Sequence, residues 1–245
     1  MKKYFSVFYL AQKESFRKIL LLWLASFIVQ GALCLMSASS FDLTKTPVIT
    51  VANIFDKTYI PLVFGMTFAI TAGLLVHTSR KSGAQSVYTL KRLLVDETAI
   101  FNIRTVYNAL IFLLLLMLSV TFYFCISIAA ARLFPEGYFS SQAPYISLYS
   151  YKFFHNIFAG RDILRLIRNI LCILSAASNL SAEKFYISRK SSWAGSYFSV
   201  MNAGSLFTKG ADMENLTLDI IEITVCTALI FASFIAMKAK EKQYE

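Results

Sequence analysis

Two pairs of ionisable residues lie inside apolar stretches of helical character. Arg165 and Arg168 fall in ILRLIRNILCIL, and Asp219 and Glu222 fall in LTLDIIEITVCTALIF. Each pair is spaced i, i+3, so each lies on one face of its helix. A charge at mid-membrane costs ~2.5–3.5 kcal/mol on insertion scales, less towards the interface. Two arrangements relieve that cost. Either the arginines and carboxylates form ion pairs at the outer ends of two neighbouring helices, tying them together, or all four side chains snorkel to the headgroups.

Other chemistry is scarce. The chain has no Gly-x-x-x-x-Gly-Lys-[Ser/Thr] loop, no His-Glu-x-x-His and no Gly-x-Ser-x-Gly elbow. Cys34, Cys125, Cys172 and Cys226 all lie in apolar stretches without a Cys-x-x-Cys pair, and read as small buried hydrophobes. His77 and His155 are far apart and join no Cys/Asp/Glu cluster. The expectation is a chain without catalytic residues, metal or cofactor of its own, hence not an enzyme.

The elements that must position the charged pairs follow from composition. Of 245 residues, 57% are hydrophobic and 16% charged, with mean hydropathy +0.58; a soluble domain averages ~45–50% apolar and ~25% charged. That balance excludes a disordered chain, and it excludes a polar nucleic-acid-binding domain despite the net charge of +10. Lys13, Glu14, Arg17 and Lys18 delay the first apolar run until Ile19, so ILLLWLASFIVQGALCLM reads as a retained membrane span rather than a secretory signal. Before it, Phe5, Phe8, Tyr9 and Phe16 fall near one face of a helix lying in the interface. Further spans are expected at about 59–76, 106–131, 163–180, 193–207 and 216–237, in addition to 19–36.

Charge placement supports six spans. With the N-terminus in the cytoplasm, 16 of the 24 Lys and Arg fall in cytoplasmic segments, six in external ones, and Arg165 and Arg168 lie within the fourth span. Both termini are then cytoplasmic. The loop HTSRKSGAQSVYTLKRLLVDETAIFNIRTVYNAL between the second and third spans is long and basic. It contains an amphipathic stretch, with Tyr88, Leu90, Leu93, Leu94 and Ile100 apolar and Lys91, Arg92, Asp96 and Glu97 solvated. Such a surface helix docks on a soluble partner or rests on lipid headgroups.

This arrangement resembles the permease subunit of a type-2 exporter-like ABC transporter from Gram-positive bacteria. The resemblance is carried by FRKILLLW at the end of the N-terminal segment and by SVYTLKRLLVDETAIFNIRTVYNALIFLLL. The second contains a Tyr-Thr-Leu-x-Arg-Leu segment and a Tyr-Asn pair opening the third span. The layout covers nearly the whole chain; the quotable motif covers about residues 86–115.

The resemblance implies an all-α integral membrane fold in a single domain over 1–245. Six transmembrane helices are preceded by an N-terminal interfacial amphipathic helix, with a cytoplasmic coupling helix between spans 2 and 3. It implies that Tyr88, Thr89, Leu90, Lys91, Arg92 and Leu93 contact a separate ABC ATPase, which would bind ATP and Mg. Short re-entrant helices are implied at about 201–216. A second permease copy or a paralogue would complete a dimer in the lipid bilayer of the bacterial cytoplasmic membrane, with no nucleic acid involved. The short, polar fifth span and the charged start of the fourth depart from the pattern. The competing reading is a non-transporting membrane anchor or accessory subunit.

Overall fold

The structure is a computed structural model that describes residues 2–39, 55, 58–81, 96–133, 142–157, 162–187, 194–208 and 216–241. Among them are eight helices. They are α1 (Lys2–Ser39), α2 (Ile60–Lys81), α3 (Glu97–Ala131), α4 (Ala143–Ser150), α5 (Lys152–Ile157), α6 (Ile163–Ile187), α7 (Ala194–Thr208) and α8 (Leu216–Glu241).

Long uninterrupted runs of Leu, Ile, Phe and Ala make the long helices. In hydrocarbon every backbone N–H and C=O must be satisfied within the segment, and a helix does this. Among the described residues, four stretches are long and apolar enough to cross a bilayer: Ser15–Ser39, Glu97–Ala131, Ile163–Glu183 and Thr217–Ala239. The six spans expected from the sequence are thereby corrected to four. The apolar stretch of α2, Ile60–Val76, is a shorter helix segment; at 1.5 Å per residue it covers about 25 Å, less than the ~30 Å hydrocarbon core. Helix α7 has 15 residues and carries Ser196, Ser199, Asn202 and Ser205. It is shorter still, at about 22 Å.

The separate N-terminal interfacial helix is also corrected. Helix α1 runs unbroken for 38 residues, because nothing between Lys3 and Ile19 breaks a helix. Its first half lies along the start of α3. Val7 packs with Ile100, Phe8 meets the Tyr107 ring edge-on at 5.5 Å, and the Ser15 and Tyr107 hydroxyls are 2.7 Å apart. Phe8 and Phe16 therefore turn towards the protein core while Phe5 and Tyr9 stay exposed. No distinct coupling helix is found among the described residues, and the segment assigned to it, residues 86–94, lies outside them.

Helix α6 is the hub. It packs most extensively on α8 and α3, then on α7, and also touches α2 and α5. From Ser175 to Glu183 every residue is buried, and the run SAASNLSAE shows why. Small side chains let neighbouring backbones approach closely, the usual basis of helix association in membranes. Helix α1 closes the other side, packing on α2 and α3.

The contacts fix helix directions. Asn108 on α3 meets Ala177 and Ser181 on α6, whereas Phe101 clusters with Ala182 and Met237, so α3 runs antiparallel to α6. Arg168 meets Asp219, and Asn179 meets Leu229, so α6 and α8 run parallel. One end of the bundle therefore gathers the start of α3 and the ends of α6 and α8. The other gathers the starts of α6 and α8 with the short helix α5.

Candidate functional site

Among the described residues, two places in this bundle bring buried polar and charged groups together, one near each end. The first joins the starts of α6 and α8. Arg168 is 6% exposed and Asp219 3%, and an Arg168 Nη1–Asp219 Oδ1 ion pair links them. Arg165 Nε lies 3.6 Å from Asp219 Oδ2 and 3.3 Å from Asp162 Oδ2, and Arg168 Nε lies 3.6 Å from Glu222 Oε2. The i, i+3 spacing aims both arginines at α8 and both carboxylates back at α6. Asp219 is shared by the two guanidinium groups, which suits a planar donor fork facing an acceptor-only carboxylate.

Two asparagines complete this cluster. Asn156 Oδ1 accepts from Arg168 Nη2 at 2.7 Å. Asn169 Oδ1 accepts from Arg168 Nε at 3.3 Å and from Nη2 at 3.1 Å. The Asn169 amide nitrogen then donates to the main-chain carbonyls of Asn156 and Ile157, at 2.9 and 3.1 Å. These are among the carbonyls left over at the end of α5, so Asn169 caps that helix from a neighbouring one. The arginine is thus surrounded by acceptors from three helices. A buried charge is tolerated when it is paired and its remaining donors are satisfied.

The second place lies near the far end of α6. A cavity of about 450 Å³ opens between α2, α6 and α7, walled by Ala72, Val76, Leu180 and Val200. Glu183 and Ser196 add polar side-chain atoms to that wall, and Tyr197 adds a phenolic hydroxyl. Glu183 is 1% exposed, and its Oε2 accepts a 3.1 Å hydrogen bond from the Ser196 hydroxyl. Exposed Gly73, Tyr197 and Met201 form the outer rim. Fifteen residues of helix separate Arg168 from Glu183, which at 1.5 Å each puts the two places about 22 Å apart.

Between them a ladder of side-chain hydrogen bonds ties α1 to its neighbours. Trp23 Nε1 donates to Thr71 Oγ1 at 3.1 Å, and the Ser26 and Thr67 hydroxyls are 2.6 Å apart. Tyr123 donates to Gln30 Oε1 at 2.7 Å. Each of these polar groups is buried and each finds its partner on another helix, as hydrocarbon requires.

Arg165, Arg168, Asp219 and Glu222 are brought together, while Phe5, Phe8, Tyr9 and Phe16 divide between the core and the surface as described above. Tyr88, Thr89, Leu90, Lys91, Arg92 and Leu93 lie outside the described residues. Of the cysteines, Cys34, Cys172 and Cys226 are buried and Cys125 is exposed, all as free thiols. Sequence reasoning missed Asn156, Asn169 and Glu183. The available signal was an amide or carboxylate within a strongly apolar neighbourhood, which must find a partner or line a polar opening.

No family model, curated protein or solved structure matches this chain, so its assignment rests on its own residues: it is an all-α, multi-span membrane protein with several long apolar helices of membrane length.

Proposed function

We propose that the chain is the membrane-spanning subunit of an ABC transporter, forming half of a translocation path. A separate ATPase subunit supplies the energy and carries the ATP and Mg, and a second copy or a paralogue supplies the other half of the path. The chain performs no catalysis itself in this reading. Its cytoplasmic contact with the ATPase is the segment Tyr88–Leu93.

One observation carries the proposal: the Tyr-Asn pair of the quoted motif is a three-helix junction. Tyr107 meets Ser15 of α1, and Asn108 donates to the Ala177 carbonyl and the Ser181 hydroxyl of α6, at 3.3 and 3.0 Å. Helix α3 begins at Glu97, close after Tyr88–Leu93. A displacement of that segment would pass along α3 into α1 and α6, and through the Arg168–Asp219 pair into α8. Packed helices with two discrete arrangements transmit such shifts. The buried charges support the same reading, since ionisable residues within spans mark functional sites by default.

The test is affinity purification of the chain from its native membrane in mild detergent. The expected result is a co-purifying subunit with a Walker A loop, lost when Tyr88, Leu90 and Leu93 are together replaced by Ala. Recovery of the chain in a stable complex without any nucleotide-hydrolysing subunit would overturn the proposal in favour of a membrane anchor.

A further inference from the structure

We propose that the cavity between α2, α6 and α7 holds an acyl chain of a membrane phospholipid, which enters sideways from the bilayer. The walls specify that chemistry. Ala69, Ala72 and Val76 of α2, Leu180 of α6 and Val200 of α7 present aliphatic surface to a space of about 450 Å³, within the ~300–1,000 Å³ of small-molecule sites. Glu183 is engaged within the protein: its Oε2 accepts from Ser196, and it has a further interaction besides. The occupant is therefore selected by the aliphatic wall and not by a charge.

A void lined by aliphatic groups forfeits the dispersion contacts its lining would otherwise make. Water does not recover them, because a mostly apolar wall gives it too few hydrogen-bond partners. In a bilayer the filler at hand is a hydrocarbon tail. No hydrophobic gain draws the tail in, since it leaves surroundings as apolar as those it enters; the gain is van der Waals contact with the cavity wall, the same term that packs helices in lipid.

Depth and access point to the same source. The α2 wall lies within the apolar stretch Ile60–Val76 and Leu180 within Ile163–Glu183, so the cavity stands at hydrocarbon depth near the end of both stretches. Its rim, Gly73, Tyr197 and Met201, is exposed on the outer surface of the bundle. A tyrosine near the bilayer boundary keeps its ring in hydrocarbon and its hydroxyl at headgroup level. The apolar stretch of α2 and the whole of α7 are each shorter than the hydrocarbon core, so the neighbouring lipids must adapt to their ends. The headgroup then stays beyond the rim while the tail lies between α2 and α7. This inference needs only the embedding of the chain in a bilayer and does not rest on the transport reading.

The test uses the purified chain in phosphatidylcholine nanodiscs doped with a phosphatidylcholine that carries a photoactivatable diazirine on its acyl chain, with labelled residues mapped by mass spectrometry. Labelling of Leu180 and Val200 on the inner wall is expected to match that of Phe231 and Ile235, which are exposed on α8. A phosphatidylglycerol with the same tagged tail is expected to label the wall equally, because the headgroup is not read. A Cβ at Gly73 would meet nothing within 4 Å, so Gly73→Ala leaves the pattern unchanged. Gly73→Phe fills the cavity from its rim and lowers labelling of Leu180 and Val200 about tenfold, with Phe231 unchanged.

The inference is overturned if Leu180 and Val200 stay unlabelled while Phe231 is labelled, or if Gly73→Phe keeps the wild-type pattern. Labelling of the wall by only one of the two headgroup classes would also overturn it, since that would mark a headgroup site. So would labelling by a diazirine fatty acid but not by the phospholipids, which would mark a site for a free acid. The wild-type pattern and the headgroup comparison decide the matter even where Gly73→Phe does not fold. Failure of the transport proposal would leave the labelling unchanged, because no ATPase takes part in the measurement.

Discussion

Asp219 on α8 lies against two arginines of α6 at once, paired with Arg168 Nη1 through Oδ1 and 3.6 Å from Arg165 Nε through Oδ2. Its removal leaves buried Arg168 with the longer, 3.6 Å contact to Glu222 as its charge partner. Arg165 keeps Asp162, whose side chain is 46% exposed. Breaking a buried pair on one side costs about 3–5 kcal/mol, because the remaining charge is left without compensation. With Glu222 and Asp162 still beside the arginines, Asp219→Asn is expected to lower the unfolding free energy in detergent by less than that, about 1–3 kcal/mol. Adding Arg168→Met to it is expected to restore part of the loss. Strict additivity of the two changes would show that the pair is not coupled.

Asn169 gives a prediction that separates its two roles. Asn169→Asp keeps an oxygen for Arg168 but cannot donate to the Asn156 and Ile157 carbonyls. Leaving buried acceptors unsatisfied costs about 1–3 kcal/mol. Amide hydrogen exchange within Lys152–Ile157 is expected to rise in this variant while exchange at the centre of α3 stays unchanged. Equal rises in both places would point to global loosening instead.

The spacing of Arg165, Arg168, Asp219 and Glu222 was legible in the sequence because helical period alone decides which residues share a face. Which helices meet was not. Nothing in the period of α5 shows that Asn156 will face Arg168, or in that of α1 that Gln30 will face Tyr123. The N-terminal aromatics were misread for a related reason. An amphipathic stripe looks the same whether it rests on lipid or on another helix, and here Phe8 rests on Tyr107. The span count differs at α2, whose apolar stretch Ile60–Val76 falls below membrane length, and at α7, which has 15 residues. Glu183 was invisible because a carboxylate at the end of an apolar run reads as a surface charge until α2 and α7 are seen to enclose it.

Gly31 marks the close approach of α1 to α3. A Cβ placed there would lie 3.2 Å from Phe122 Cζ and 3.4 Å from Ile126 Cδ1. Gly31→Ala asks a ring tip to shift by a few tenths of an ångström and gains helix propensity, so its net effect on stability is expected to stay within about 1 kcal/mol. Gly31→Leu overpacks the same contact and is expected to cost about 1–3 kcal/mol. Thermal unfolding of both variants in one detergent is the check, and a stable Leu variant would show that α1 does not sit this close to α3.

The Tyr123–Gln30 hydrogen bond tests how much the side-chain ladder contributes. Interhelical hydrogen bonds in membranes are worth about 0.6 kcal/mol on average and up to about 1.7. Tyr123→Phe keeps the ring, which lies 4.8 Å from that of Phe154, and removes the donor. A coupling energy within that span is expected from a double-mutant cycle with Gln30→Leu. Zero coupling would mean that the pair does not form in the folded protein.

The most direct measurement is the ATP hydrolysis rate of the co-purified complex in proteoliposomes, compared with its ATPase subunit alone and with a complex carrying Asp219→Asn. The expected result is an ATPase rate that depends on the membrane chain and falls when the α6–α8 link is broken while the complex remains assembled. An ATPase rate that is the same with the chain, without it, and with the Asp219→Asn variant would contradict a coupled membrane subunit.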